Sequence, residues 1–221
     1  MSTTYRDLAR EIYRKSNLPV IDLGLYLTKH GGTIKSAGSY RVGKNLEEMT
    51  VRFVRKRDTV IPFMSVFDDT TTETGMFKRD VVERHALNEG CLVIFDVHDF
   101  TGAPVFIPVD DIPTVTRGRS LVVRASRPIL ATLGVWLNST HVIKAVRSES
   151  GKKTALEDAK RIPIPDTVLP DEAVDRYFTM IHQRAKTIRE VVEMTQEIEA
   201  ITNSMSGRDL MRSSAQNEVE R

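Results

Sequence analysis

From Val174 to Met205 apolar residues recur in steps of three and four: Val174, Phe178, Ile181, Ala185, Ile188, Val191 or Val192, Met194, Ile198, Ile201 and Met205. That spacing keeps one face of a helix apolar and forms a coiled-coil seam, with a stammer near Ile188 where the step slips. A helix from Pro170 to about Ser204 would be roughly 50 Å long at 1.5 Å per residue. A domain of this size needs no such strut for its own core, so the seam predicts a partner helix. The stretch 206–221 is polar and aperiodic, which predicts a disordered tail.

Just before this helix stands "RIPIPDTVLP". Pro163 and Pro165 cannot continue a helix and hold the residues before them extended. The run reads as a rigid strap on which the helix is mounted. Upstream, Thr4 with Asp7 is a capping-box-like start for one short amphipathic helix carrying Tyr5, Leu8, Ala9 and Ile12. Six runs rich in Val, Ile and Phe then read as strands: "PVIDLGLYL", "MTVRFVRKR", "DTVIPFMSVF", "CLVIFDVHDF", "APVFIPV" and "SLVVRAS". Between the first two, "KHGGTIKSAGSYRVGKN" holds four glycines in thirteen residues and reads as a functional loop. From Pro128 the 3.6 period returns over one or two helices. The fold class predicted is α+β: an irregular β-rich domain with short helices over 1–165, then a long coiled-coil-forming helical arm over 166–205.

Composition narrows the function classes. No window reaches the roughly 18 to 20 apolar residues of a membrane span, and the first residues lack the apolar core of a signal peptide, so a soluble cytoplasmic protein is expected. The single cysteine, Cys91, sits within "CLVIF" and reads as a small buried hydrophobe. The formal net charge of +2 announces no nucleic-acid binder, so any such reading rests on how the charges are distributed.

Catalytic patterns are sparse. A methyltransferase's glycine-rich cofactor loop and its base-holding Asn-Pro-Pro-aromatic loop do not occur. "SGKKT" matches the end of a phosphate-binding loop but lacks its first glycine, Val146 standing there. Asp158 and Lys160 with Asp110 or Asp111 form the one constellation suited to a magnesium-dependent nuclease, a spacing that a solvated helical turn also explains. Asp96 and His98 lack a second ligand pair. No metal site, catalytic residue or cofactor is expected.

Basic residues remain: Lys35, Arg41 and Lys44 in the glycine loop; Arg52, Arg55, Lys56 and Arg57 on and after one strand; Arg117 and Arg119 in "TRGRS"; and Lys152 and Lys153. Clusters in loops flanking strands suit a surface that tracks DNA phosphates. A solvated sheet face that binds another protein, in an interaction adaptor, is the alternative.

The order of parts resembles half of a specificity subunit from a type I DNA restriction and modification system. In that family a target recognition domain closes with "yLns", an "sG" loop, a short helix and "ipIP", followed by a long helix. Here Leu137-Asn138-Ser139, Ser150-Gly151, Leu156 to Lys160 and Ile162-Pro163-Ile164-Pro165 stand in that order. "NEGCLVIFDV" with "FTG" resembles the family's "kpGDiLis…g", with Glu89-Gly90-Cys91 where Gly-Asp is usual. The resemblance runs over about Pro19 to Thr202. The family's Pro-Leu-x-x-Gln helix start is replaced by Pro170-Asp171-Glu172-Ala173-Val174, and one recognition domain stands where the family commonly has two. The resemblance implies a non-catalytic subunit that reads double-stranded DNA and directs a separate methyltransferase subunit. It leaves open whether a restriction (motor and nuclease) subunit joins. With one domain and one helix per chain, a homodimer through Val174, Phe178, Ile181, Ala185, Ile188, Ile198 and Ile201 is expected, although pairing with a different half-subunit stays open.

Overall fold

The computed structural model describes residues 4–219 except positions 39, 42–43, 56–71, 109, 117–119, 150 and 152–154, and the side chains of 192 and 202–219. The chain begins with α1 (Tyr5–Ser16), capped as its sequence predicts. The Thr4 hydroxyl accepts from the Asp7 amide at 3.2 Å, and the Asp7 carboxylate accepts from the Thr4 amide at 3.1 Å. Asn17, left-handed at φ 55°, ends the helix, a conformation that asparagine tolerates better than most residues.

There follow β1 (Val20–Asp22), α2 (Leu23–Lys29), β2 (Thr33–Ser36), β3 (Glu47–Val54), β4 (Thr72–Phe77) and α3 (Arg79–His85). Then come β5 (Cys91–Ile94), β6 (Thr114–Thr116), β7 (Leu121–Arg124), α4 (Arg127–Leu137), α5 (Thr140–Glu149), α6 (Ala155–Lys160), β8 (Pro163–Pro165) and α7 (Asp171–Val219). The described strands form three small sheets, ordered β1-β8, β2-β7-β5 and β4-β3-β6. All pairings are antiparallel except β3 with β6. This is the mixed helix-and-strand class that the sequence predicts.

Local differences have physical causes. "DLGLYL" forms α2 rather than extending a strand, because Leu23, Tyr26 and Leu27 at helical spacing are all fully buried. The glycine loop contains β2, whose edge pairs Ile34 with Val123 on β7; cross-strand pairing overrides a polar composition. "APVFIPV" makes only an isolated bridge, Val105 to Leu92. "DTVIPFMSVF" lies outside the described residues. The helical stretch after Pro128 is two helices, α4 and α5. Their apolar faces are core, Ile129, Leu130, Leu133, Leu137, Val142 and Val146 being buried, and among the described residues no single helix is long and apolar enough to cross a membrane. Cys91 is fully buried and donates to the Asn88 side chain at 3.1 Å, and burial pushes its thiol pKa up.

The strap closes the domain on itself. Ile164 of β8 pairs with Ile21 of β1, flanked by Pro165 opposite Val20 and Pro163 opposite Asp22. Prolines are tolerated because each strand of a two-stranded ribbon is an edge, where a missing N–H costs no ladder bond. Their carbonyls are still used: the Trp136 indole donates to the Pro163 carbonyl at 2.9 Å, and the Thr167 amide donates to the Pro165 carbonyl at 2.8 Å. Everything from α2 to α6 is thus inserted between two paired strands.

Two compact units divide the chain, Met1–Ile181 and His182–Arg221. The first unit reaches past 165 because the opening turns of α7 pack into it. Val174, Phe178 and Ile181 are buried, the Arg127 guanidinium lies 4.4 Å from the centre of the Phe178 ring, and the Tyr177 hydroxyl lies against Gly134. An alanine Cβ at Gly134 would sit 1.9 Å from that hydroxyl, so α4 requires glycine there. The α7 backbone continues helical into 206–219, where aperiodicity predicts disorder. A proline-free stretch keeps its helix propensity.

Candidate nucleic-acid interface

The described basic residues among those singled out in the sequence differ in their surroundings. Arg52 is 5 % exposed, and its two terminal nitrogens bind the two Asp110 carboxylate oxygens at 2.8 and 2.6 Å. This bidentate pair joins β3 to the segment entering β6 and draws the Asp110 pKa below its ordinary value. Arg52 therefore has a role in the fold, which corrects its place among surface phosphate contacts: a charge this buried must be paired. Arg41 is exposed but spans Glu73, at 2.5 Å, and the Phe77 ring, 4.7 Å to the centre. Lys44 is exposed and Arg55 half-buried. Lys56, Arg57, Arg117, Arg119, Lys152 and Lys153 lie outside the described residues.

Lys35 is exposed on β2, the edge strand of its sheet, beside an open groove of about 560 Å³. One wall comes from α2 with Gly24, Leu25 and Thr28; the other is the end of α6 with Lys160 and Arg161; Asp22 and Thr33 complete it. Both walls are fixed by the ribbon, since α2 follows β1 directly and α6 leads into β8. The floor is tight. An added Cβ at Gly32 would meet Leu27 at 2.7 Å and the Arg124 carbonyl at 3.1 Å. Three cations face one carboxylate here, and nearby Arg161 draws down the Asp22 pKa against the stronger upward pull of burial. Lys160 and Arg161 were not among the expected contacts. Their positions, 125 and 126 residues beyond Lys35, give no local charge cluster, and the β1-β8 pairing together with the packing of α6 on α2 and β2 brings them alongside it.

The nuclease alternative loses its constellation. Asp158 is 1 % exposed and its carboxylate accepts from the Gly151 amide at 2.8 Å. Gly151 has φ 92°, which explains the glycine of the "SG" loop: the left-handed turn is held by the buried carboxylate. The Asp158 carbonyl accepts from the Tyr5 hydroxyl at 3.3 Å, and burial and then the Asp158 charge push the Tyr5 pKa up. Asp110 is engaged by Arg52 and the Asp96 carboxylate by the His98 amide at 3.0 Å. Among the described residues no three His, Cys, Asp or Glu side chains are grouped to hold a metal.

The α7 seam divides. Val174, Phe178, Ile181 and Ala185 are buried and Ile188 is half-buried, whereas Val191, Met194, Ile198 and Ile201 are 51–63 % exposed. Its opening turns serve the chain's own core, which periodicity alone cannot distinguish from a face awaiting a partner.

No protein-family model matches the chain, and the search of curated proteins finds no match either.

Proposed function

We propose that the chain is the DNA sequence-recognition subunit of a type I restriction and modification complex, non-catalytic itself, directing a separate methyltransferase subunit to its target. The observation that carries this reading is the β1-β8 ribbon, with the family-like motifs in their order around it. A β-rich reader is inserted at one point and leaves through "IPIP" straight into α7, the arrangement expected of a target recognition domain on a spacer helix. The exposed Val191, Met194, Ile198 and Ile201 of α7 suit a coiled coil with a second copy, giving two readers per assembly. No residue of the chain is asked to perform chemistry, which accords with a buried, hydrogen-bonded Asp158.

The test is a titration of the full chain with duplex DNA at several salt concentrations, alongside sequencing of methylated positions in DNA from cells carrying the complex. Phosphate-dominated binding gives a log affinity that falls linearly with log salt, by about 0.9 per contact. Salt-independent or undetectable DNA binding, together with co-purification of a protein other than a methyltransferase, would favour the adaptor reading.

A further inference from the structure

The groove beside the β1-β8 ribbon combines three features that no single element supplies. Its cations come from two places far apart in sequence, Lys35 on β2 and Lys160 with Arg161 at the end of α6, opposed by Asp22 alone among its lining residues. Positive charge continues past Lys35 to Arg124 on β7, which stands opposite Thr33 of β2. The groove also exposes an apolar side chain, Leu25, 64 % accessible amid this charge. An open, basic channel with an apolar contact on its wall fits a sugar-phosphate backbone, which presents charged oxygens and a deoxyribose face in succession.

We propose that this groove docks a phosphodiester backbone segment of the DNA target, Lys35, Lys160 and Arg161 contacting phosphates and Leu25 the sugar. The assignment rests on the DNA-recognition reading and adds to it that the duplex lies against the root of the reader, next to the ribbon. Contacts so placed carry no base information, so they set orientation and affinity for every sequence alike.

The experiment compares the full-length parent chain with Lys160→Gln combined with Arg161→Gln, and separately with Lys35→Gln. Glutamine keeps the side-chain stems, including the Lys160 Cβ and Cγ that pack on Gly24. Fluorescence anisotropy with a mixed-sequence duplex across a salt series is the readout, with unchanged thermal midpoints as the folding control. The slope of log affinity against log salt is expected to fall by about 1.8 in the double variant and about 0.9 in Lys35→Gln, with affinity lost equally on all sequences. Lys15→Gln, whose side chain on α1 pairs with Glu11, is expected to keep the parent slope. A parent that binds duplex DNA with variants indistinguishable from it overturns the groove assignment and leaves DNA recognition standing. A parent that binds no duplex overturns both, and tighter binding of RNA than of DNA of equal length overturns the assignment to DNA. If the double variant fails the folding control, Lys35→Gln, on another element, decides alone.

Discussion

Arg52 and Asp110 show how a basic residue on a charged strand can be withdrawn from the surface. The guanidinium is buried while its carboxylate partner keeps 38 % of its side-chain exposure, so solvent screens the pair from one side and its worth is modest. Truncating Arg52 to alanine should destabilise the domain by about 1–3 kcal/mol, chiefly by leaving Asp110 without its bidentate partner and emptying a packed site, and a denaturant melt measures it. The pH dependence has a definite sign. The Asp110 pKa is lower in the folded state than the ordinary value near 4. The stability it contributes is therefore complete above that ordinary value and is lost as pH falls through the folded value. The gap in melting midpoint between the parent and Asp110→Asn should close as pH falls from the ordinary carboxylate value near 4 through the lower folded-state value. A gap that stays constant over that range would mean that the charge of Asp110 contributes nothing.

At the level of elements, α4 and the opening turns of α7 form one packed unit through Gly134. Gly134→Ala places a methyl group 1.9 Å from the Tyr177 hydroxyl and 2.7 Å from the ring carbon that bears it, an overpacking expected to cost about 1–3 kcal/mol. Adding Tyr177→Phe removes the closer contact only, so partial recovery of the thermal midpoint is expected. The divided seam also separates two tests that a uniform seam would merge. Ile181→Asp puts a charge at a site 4 % exposed and should lower monomer stability by about 2–5 kcal/mol, the range for emptying such a site, with the unpaired charge adding to it. Met194→Asp, at a site 54 % exposed, should leave monomer stability within about 0.5 kcal/mol while lowering the oligomeric mass seen by light scattering. Unchanged mass for Met194→Asp would remove this stretch from the assembly surface.

For the molecule as a whole, the proposed DNA-recognition reading makes two copies joined through α7 a closed twofold dimer, which presents one surface twice. The expected target is then a palindrome interrupted by unread bases. A strut of roughly 50 Å at 1.5 Å per residue exceeds one turn of duplex, about 34 Å. Deleting about seven residues, two turns of helix, from the exposed part of the seam should shorten the spacer without altering either half-site, as mapped by the methylated positions. An asymmetric target would show that the chain pairs with a different half-subunit instead.

Short-range physics made several elements readable directly. The Thr4 and Asp7 box caps α1 through two reciprocal bonds, the apolar runs around Cys91 and Leu121 form β5 and β7, and Pro163 and Pro165 hold an extended exit from the domain. Each depends on dihedral limits, hydrogen bonds or periodicity within a few residues. What the linear pattern could not disclose was long-range partnership. Nothing near Val20 signals that it pairs with Pro165, yet that ribbon brings Lys160 and Arg161 beside Lys35. Nothing in "MTVRFVRKR" distinguishes Arg52, bound by a carboxylate fifty-eight residues on, from a solvated neighbour. The heptad spacing of Val174, Phe178 and Ile181 is the same whether the face packs on its own domain or on another helix. Periodicity records that a face must be buried, and only the tertiary structure decides against what.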